Sequence, residues 1–122
     1  MRGNTVLVID DEPIVVKFAE MLLSRNGYKV LTGLGGEAGL KIFWENENVI
    51  DLIILDMNMP DLTGDEVLGK IRDKGNDVKV IIFSGFFEPD KKEVLKKLNV
   101  AGYLKKPCDN NDFLNEVRNV LT

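Results

Sequence analysis

The chain has 122 residues, of which 44% are hydrophobic and 30% are charged, and its net charge at pH 7 is −4. A chain of this size and balance fits one globular domain, residues 1–122, with its own apolar core, and argues against disorder. The acidic balance argues against a nucleic-acid-binding protein, because binding to phosphates needs an overall positive field.

Several classes of chemistry are excluded by residues that the sequence lacks. It contains no histidine, which removes Ser-His-Asp and Cys-His catalysis, histidine-ligated metals and any phosphohistidine on this chain. Its one cysteine, Cys108, forms no internal disulfide and no cysteine metal cluster, and an unpaired thiol suits the reducing cytoplasm. No apolar stretch approaches the ~20 residues of a membrane span, and the polar start does not resemble a signal peptide.

Short apolar runs alternate with amphipathic stretches along the chain. The apolar runs predict strands over residues 5–9, 28–31, 52–55, 78–83 and 102–104. The amphipathic stretches predict helices over about 13–26, 37–45, 65–73, 89–98 and 111–121. The runs around Ile54 and Ile81 have no polar alternation, which is typical of strands covered on both faces. The strict alternation predicts an α/β fold in which helices cover both faces of a five-stranded parallel sheet.

Each predicted helix has an apolar stripe that is expected to face the sheet. In the first helix the stripe contains Ile14, Phe18, Met21 and Leu22, and the helix is opened by Pro13. The other helices have similar stripes. The expected inward residues are Leu40, Phe43 and Trp44 in the second helix; Val67, Leu68 and Ile71 in the third; Val94, Leu95 and Leu98 in the fourth; and Phe113, Leu114, Val117, Val120 and Leu121 in the fifth.

Charged and polar side chains follow the predicted strands at their carboxyl ends, where ligands bind in parallel sheets. Asp10 and Asp11 follow the first strand, Asp56 the third, Ser84 the fourth and Lys106 the fifth. If the first and third strands are neighbours, the carboxylates converge, and two of them ~4 Å apart repel by about 4 kcal/mol at an effective dielectric near 20. Such a cluster raises its pKa values or binds a cation, for which Mg²⁺ is the natural choice, with Mn²⁺ or Ca²⁺ possible.

A metal held by carboxylates, a nucleophilic carboxylate, a hydroxyl and an ammonium together suit a phosphoryl group bonded to aspartate. The motifs that carry this set are VIDDEP at 8–13, DLIILDMNMP at 51–60 with Gly64 after it, Ser84-Gly85, and YLKKP at 103–107. In this order and at these strand ends, they resemble the receiver domain of two-component response regulators over nearly the whole chain. The resemblance implies a flavodoxin-like fold with strand order 2-1-3-4-5.

The resemblance also implies a phosphoacceptor and a metal site. Asp56 is similar to the phosphoacceptor of the family. Asp10, Asp11 and Asp56 resemble the carboxylates that bind Mg²⁺, with the backbone carbonyl of Asn58 as a further ligand.

The remaining site residues resemble the switch of the family. Lys106 is similar to the family lysine, because the pattern places it directly before Pro107, in a cis peptide bond. Ser84 resembles the switch hydroxyl, and Tyr103 the aromatic residue that turns inward when the hydroxyl moves. Phe86, two residues past Ser84, occupies a position that influences the lifetime of the phosphoryl group, and its bulky ring predicts slow loss.

The function implied is a phosphorylation-controlled switch rather than an enzyme with turnover. The donor is a sensor histidine kinase or a histidine phosphotransfer domain, since this chain has no histidine of its own. The fourth helix, fifth strand and fifth helix then form the output face, through which a homodimer is possible. Neither direct nucleic-acid binding nor membrane association is expected, and the chain is either a stand-alone regulator or a receiver of a larger regulator or hybrid kinase.

Other interpretations of the same residues stay open. A pseudo-receiver keeps the fold without being phosphorylated, although the intact acid, hydroxyl and lysine set argues against it. The segment 33–38 formally matches the dinucleotide-binding pattern Gly-x-Gly-x-x-Gly/Ala, which suits a flavin- or dinucleotide-binding enzyme. It follows the second strand, and the acidic loop after the first strand would repel a pyrophosphate. A calcium loop from Asp56 fails because Pro60 and Asp61 stand where a ligand and a glycine are needed.

Overall fold

A computed structural model of the chain describes residues 4–85 and 89–122. Strands and helices alternate through them as predicted. Their bounds are β1 (Thr5–Asp10), α1 (Pro13–Arg25), β2 (Lys29–Leu34), α2 (Gly36–Glu45), β3 (Leu52–Leu55), α3 (Gly64–Asp73), β4 (Lys79–Ser84), α4 (Pro89–Lys97), β5 (Gly102–Lys105) and α5 (Asn110–Leu121).

The strands form one parallel sheet in the order β2-β1-β3-β4-β5, which confirms the predicted fold class. The strand β1 lies between β2 and β3, and Ile9 pairs with Leu55. The next residues along the two strands are Asp10 and Asp56. They therefore lie at the carboxyl ends of neighbouring strands, at the same edge of the sheet. The order of the strands is what brings the carboxylates together.

Both faces of the sheet are covered, so two apolar clusters form. Leu7, Ile9, Ile53 and Leu55 point to the face covered by α2, α3 and α4, and Val6, Val8 and Ile54 to the face covered by α1 and α5. All of these side chains are at most 1% exposed. Because both faces are apolar, the central strands lack the polar alternation of a half-exposed sheet, as the sequence indicated.

The inward stripe predicted for α1 is wrong in part. The face that packs on the sheet consists of Val16, Ala19 and Leu23. Ile14 is 77% exposed and Met21 is 51% exposed, whereas Phe18 and Leu22 pack at the margin of the core. Two apolar sets with helical spacing exist on this helix, and the smaller side chains lie against the sheet. The helix therefore presents apolar side chains to the surface as well.

Two further inward predictions are also corrected. Trp44 of α2 is 37% exposed and Val94 of α4 is 41% exposed, although both lie next to buried residues in their helices. Each lies at the edge of the apolar stripe of its helix, where side chains begin to face solvent instead of the sheet. The remaining expected core residues of α2 and α3 are buried.

The strand β2 extends three residues beyond its predicted end, through Gly33 and Leu34, which pair with Ile9 and Asp10. A side chain at Gly33 would begin 2.6 Å from the Cα of Gly39 in α2. The glycine therefore permits close packing of α2 on the strand. The apolar run ends at Leu31 in the sequence, so the predicted strand stops before this glycine.

Candidate functional site

Asp10 and Asp56 lie side by side at the carboxyl ends of β1 and β3, where they are 1% and 4% exposed. Lys106 reaches them from the connection between β5 and α5. Its Nζ lies 2.7 Å from Oδ2 of Asp10 and 3.6 Å from Oδ1 of Asp56. Two of the three carboxylates predicted to converge, Asp10 and Asp56, are therefore brought together with the predicted lysine beside them.

The position of Lys106 is fixed by its backbone and by an aromatic neighbour. Its N–H donates a hydrogen bond of 3.0 Å to the carbonyl of Ser84, and the Lys106–Pro107 peptide bond is cis, as predicted. Its ammonium lies 5.6 Å from the ring centroid of Phe83, within the range of a cation–π interaction. These contacts hold the ammonium at the edge of the sheet.

Burial perturbs the acids of the site strongly. It raises the pKa of Asp56 to about 6, and the negative charge of Asp10 adds to this effect. Burial also raises the pKa of Asp10, against the opposing hydrogen bond from Lys106. Burial would lower the pKa of the Lys106 ammonium, but the hydrogen bond and charge of Asp10 outweigh it and raise that pKa. The site thus concentrates negative charge that one lysine does not neutralise.

The acidic cluster has the composition of a site for a hard divalent cation. Asp10, Asp11, Glu12 and Asp56 each offer a carboxylate oxygen, and these atoms all lie within 4.8 Å of one another. Oxygen ligands without sulfur or imidazole suit Mg²⁺. Glu12 was not predicted as a site residue, yet its Oε1 lies 3.4 Å from Nζ of Lys106. Its place directly after the acidic pair was the available signal.

The predicted switch residues lie around the same edge of the sheet. Ser84, at the end of β4, is 1% exposed, and the side-chain amide of Asn58 donates a long hydrogen bond of 3.4 Å to its hydroxyl. This contact of the Asn58 side chain was not among the sequence expectations, which gave its backbone carbonyl as a metal ligand and its position, two residues past Asp56, an influence on the lifetime of the phosphoryl group. Tyr103, on β5, is 42% exposed in this structure. Phe86, for which slow phosphoryl loss was predicted, lies outside the described residues.

The glycines of segment 33–38 have a structural role. The backbone N–H groups of Gly36 and Glu37, at the start of α2, donate to the carboxylate of Asp61 at 3.1 and 2.9 Å. A carboxylate of the chain itself therefore lies at the helix N-terminus that would bind a pyrophosphate in a dinucleotide site. This contact argues against the dinucleotide-binding interpretation.

An open cavity of about 500 Å³ borders the acidic cluster. Its lining is mostly apolar and consists of Glu12, Ile14, Val15, Phe18, Phe83, Lys106, Pro107 and Cys108. The ring of Phe113 packs edge-on against Phe18 and Phe83, with ring centroids 5.4 Å apart in both pairs. The cavity thus combines an aromatic side, the charged side chains of Glu12 and Lys106, and the exposed Ile14 in its lining.

The comparison with known proteins decides the family. The model of the response regulator receiver domain matches residues 6–118. This chain belongs to that family. It is 32% identical over 120 residues to the chemotaxis protein CheY of Treponema pallidum, an alignment that covers 95% of this chain and 81% of CheY. Receiver domains are signalling modules of two-component systems, as the motifs indicated.

Solved receiver structures agree with the fold. A response regulator receiver domain from Clostridium thermocellum is 36% identical, with a TM-score of 0.88 and coverage of 97% of this chain and 94% of that one. The response regulator protein TrrA from Thermotoga maritima, solved in complex with Mg²⁺-BeF, is 31% identical, with a TM-score of 0.82 and coverage of 97% and 99%. Mg²⁺ was therefore seen with a related protein of the same fold.

The chain spans between 16% and 47% of the length of four other curated relatives, some of which are named transcriptional regulators. The activities of those whole proteins therefore do not transfer to these residues. Within residues 4–85 and 89–122, no helix is long and apolar enough to cross a membrane.

Proposed function

We propose that Asp56 accepts a phosphoryl group from a phosphohistidine of a sensor histidine kinase or a phosphotransfer domain, in a Mg²⁺-dependent reaction in the cytoplasm. The observation that carries the proposal is that Asp56 lies beside Asp10 and that Oδ1 of Asp56 lies 3.6 Å from Nζ of Lys106. The same Nζ lies 2.7 Å from Oδ2 of Asp10. The net charge of −4 supports the further proposal that these residues do not bind nucleic acid directly.

In the proposed reaction, a carboxylate oxygen of Asp56 attacks the phosphorus of the phosphohistidine. An O–P bond forms, the N–P bond breaks, and the imidazole leaves with a proton from solvent. Bound Mg²⁺, held by Asp10, Asp11, Asp56 and the carbonyl of Asn58, would neutralise charge on the phosphoryl oxygens. Lys106 neutralises the remaining charge, and the buried position of Asp56 limits access of water to the acyl phosphate.

We propose that the same step works the switch. The phosphoryl group draws the hydroxyl of Ser84 and the ammonium of Lys106 towards Asp56, and Tyr103 follows into the space that Ser84 leaves. The exposure of Tyr103 and of Val94, at 42% and 41%, gives the face formed by α4, β5 and α5 apolar surface that a change of conformation alters. This face is the proposed output surface and the proposed site of homodimer formation.

Incubation with Mg²⁺ and acetyl phosphate, followed by mass spectrometry of the intact protein, tests the proposal. We expect a mass gain of one phosphoryl group in the wild type and none in Asp56→Asn, because the amide is not a nucleophile. A gain that persists in Asp56→Asn contradicts the assignment of the acceptor. A wild type that stays unmodified while still binding Mg²⁺ indicates a pseudo-receiver, and a copurified chromophore indicates a cofactor-binding protein.

The open cavity next to Lys106 suits the helix that carries the donor histidine. Its apolar lining ends at Glu12 and Lys106, beside the acceptor, so a helix that rests there directs its phosphohistidine to Asp56. Ile14, in the lining, is 77% exposed and offers an apolar side chain that a docked helix would bury. Side chains that become fully buried at the centre of an interface carry most of its binding free energy.

We expect Ile14→Asp to slow phosphotransfer from a histidine-containing donor protein by about tenfold or more, because a charge replaces an apolar anchor worth more than 1 kcal/mol. Transfer from acetyl phosphate stays at the wild-type rate, since the small donor does not use the cavity. The matched control is Val49→Asp, which places the same charge at an exposed apolar position before β3, outside the lining of the cavity. Equal losses with both donors would contradict the docking proposal.

A further inference from the structure

The loop between β3 and α3, which carries Asn58, is tied to the start of α2 by one side chain. The carboxylate of Asp61 accepts hydrogen bonds from the N–H groups of Gly36 at 3.1 Å and Glu37 at 2.9 Å. The same carboxylate accepts a hydrogen bond of 2.9 Å from the N–H of Leu62. Oδ1 of Asp61 thus accepts two hydrogen bonds and Oδ2 accepts one. Two of the three donors belong to the start of α2, and the third belongs to the loop itself.

The surroundings of Asp61 leave little freedom for either segment. Gly35, which precedes α2, has φ +109, and a Cβ there would lie 3.4 Å from Oδ2 of Asp61. A Cβ on Gly36 would lie 2.7 Å from the Cβ of Leu62. The close approach of the two segments therefore depends on glycine on one side and on the aspartate on the other.

The loop is also fixed at its base, on the side of Asp56. The N–H of Gly64 donates a hydrogen bond of 2.9 Å to the carbonyl of Met57, and a Cβ at Gly64 would lie 2.5 Å from the carbonyl oxygen of Asp56. Asn58 lies between this base and Asp61. Its position relative to Asp56 is consequently set by two ties, one at the base and one at the far end.

We infer that Asp61 is a positioning residue, which holds the loop so that the carbonyl of Asn58 faces the acidic cluster and Mg²⁺ binds to a preformed site. This inference rests on the proposed function. Asp61 does not touch the acidic cluster itself; it acts through the backbone between residues 58 and 61. Without it, the loop is ordered only when the ion binds, and that ordering reduces the apparent affinity.

The charge of Asp61 supports this role. Hydrogen bonds from the N–H groups of Glu37 and Gly36 lower the pKa of Asp61, so the carboxylate is ionised at neutral pH. A negative side chain at a helix N-terminus is also favoured by the helix dipole. The tie is therefore present under the conditions in which Mg²⁺ binds.

The test compares Asp61→Ala with Asp109→Ala in the full chain. Asp109 caps α5 through a hydrogen bond of 2.8 Å from the N–H of Asp112, so its loss removes a comparable cap that has no contact with the loop. We expect Asp61→Ala to weaken Mg²⁺ binding, measured by isothermal titration calorimetry, by about tenfold, as for other residues that support metal ligands. We expect Asp109→Ala to bind Mg²⁺ as the wild type does.

Amide hydrogen exchange provides the second measurement. In Asp61→Ala the N–H groups of Gly36, Glu37 and Leu62 are expected to exchange faster than in the wild type. Asp61→Asn keeps the oxygen that accepts from Gly36 and Leu62, so in this variant only the N–H of Glu37 is expected to exchange faster. The Mg²⁺ affinity of Asp61→Asn then lies between those of the wild type and Asp61→Ala.

Three results would overturn the inference: unchanged Mg²⁺ affinity in Asp61→Ala despite faster exchange, equal losses in Asp61→Ala and Asp109→Ala, or exchange that does not change. Failure of the proposed function gives a different pattern. In that case the wild type itself gains no phosphoryl group, although the exchange of Gly36 and Glu37 still responds to the substitution.

Discussion

Lys106→Met is expected to lower the free energy of unfolding in metal-free buffer at pH 7.5 by about 3 kcal/mol, the lower end of the range for breaking a buried ion pair. The carboxylate of Asp10 is 1% exposed and receives its 2.7 Å hydrogen bond from this lysine. Methionine fills a similar volume but leaves Asp10 and Asp56 without their shared counter-ion. The cost arises because two buried negative charges then face each other.

Urea denaturation with and without Mg²⁺ measures this effect. A saturating concentration of Mg²⁺ is expected to recover part of the loss, because the ion supplies positive charge at the same carboxylates. The matched control is Lys105→Met, one residue earlier, where the side chain is exposed and the charge change is identical. If the two variants lose the same stability, the acidic cluster does not depend on Lys106.

Most of the fold followed from features that act locally along the chain. Uninterrupted apolar runs such as the one around Ile54 are typical of strands covered on both faces, and these alternate with helical spacing. A strict alternation leaves few topologies, since crossovers are right-handed. The convergence of Asp10 and Asp56 could be predicted once β1 and β3 were assumed to be neighbours, because parallel strands end at the same edge.

The features that sequence reasoning missed depend on choices between equivalent local patterns. On α1, the set with Ile14 and the set with Val16 both have helical spacing, and only packing against the sheet decides which is buried. Gly33 lies past the end of the apolar run, and the space that it leaves for Gly39 of α2 is a tertiary property that the sequence does not show. The sequence indicates no role for Asp61 beyond excluding a calcium loop, since its hydrogen-bond partners lie 24 and 25 residues away.

These corrections bear on function as well as on fold. The side chain of Ile14, which was expected inside, is exposed in the lining of the cavity beside Lys106. The glycines that resemble a dinucleotide site instead allow α2 to approach both the sheet and Asp61. In both places the pattern is present in the sequence, as helical apolar spacing in α1 and as closely spaced glycines before α2. Its role differs from the predicted one because the tertiary structure decides which neighbours these residues meet.

Asp56→Asn is expected to stabilise the metal-free protein at pH 7.5 by about 2 kcal/mol, less than the full linkage value because solvent screens the site in part. Burial raises the pKa of Asp56 from 3.8 to about 6. A carboxyl group with a raised pKa contributes stability that is complete below its unfolded pKa and is lost as the pH rises through about 6. The amide does not ionise and so avoids this loss.

Urea denaturation of the wild type and Asp56→Asn in EDTA, between pH 4 and pH 8, measures the difference. The two curves are expected to converge near pH 4, to separate as the pH rises towards about 6, and to stay apart by a constant amount above it. With Mg²⁺ the order reverses, because the ion binds more tightly to, and so stabilises more, the protein that keeps the full set of carboxylate ligands. The control Asp11→Asn removes a half-buried acid of the same cluster and should gain less. A gain for Asp56→Asn that persists at pH 4 would show that the ionisation of Asp56 is not responsible. An equal gain in Asp11→Asn would show that overall charge rather than the burial of Asp56 is responsible.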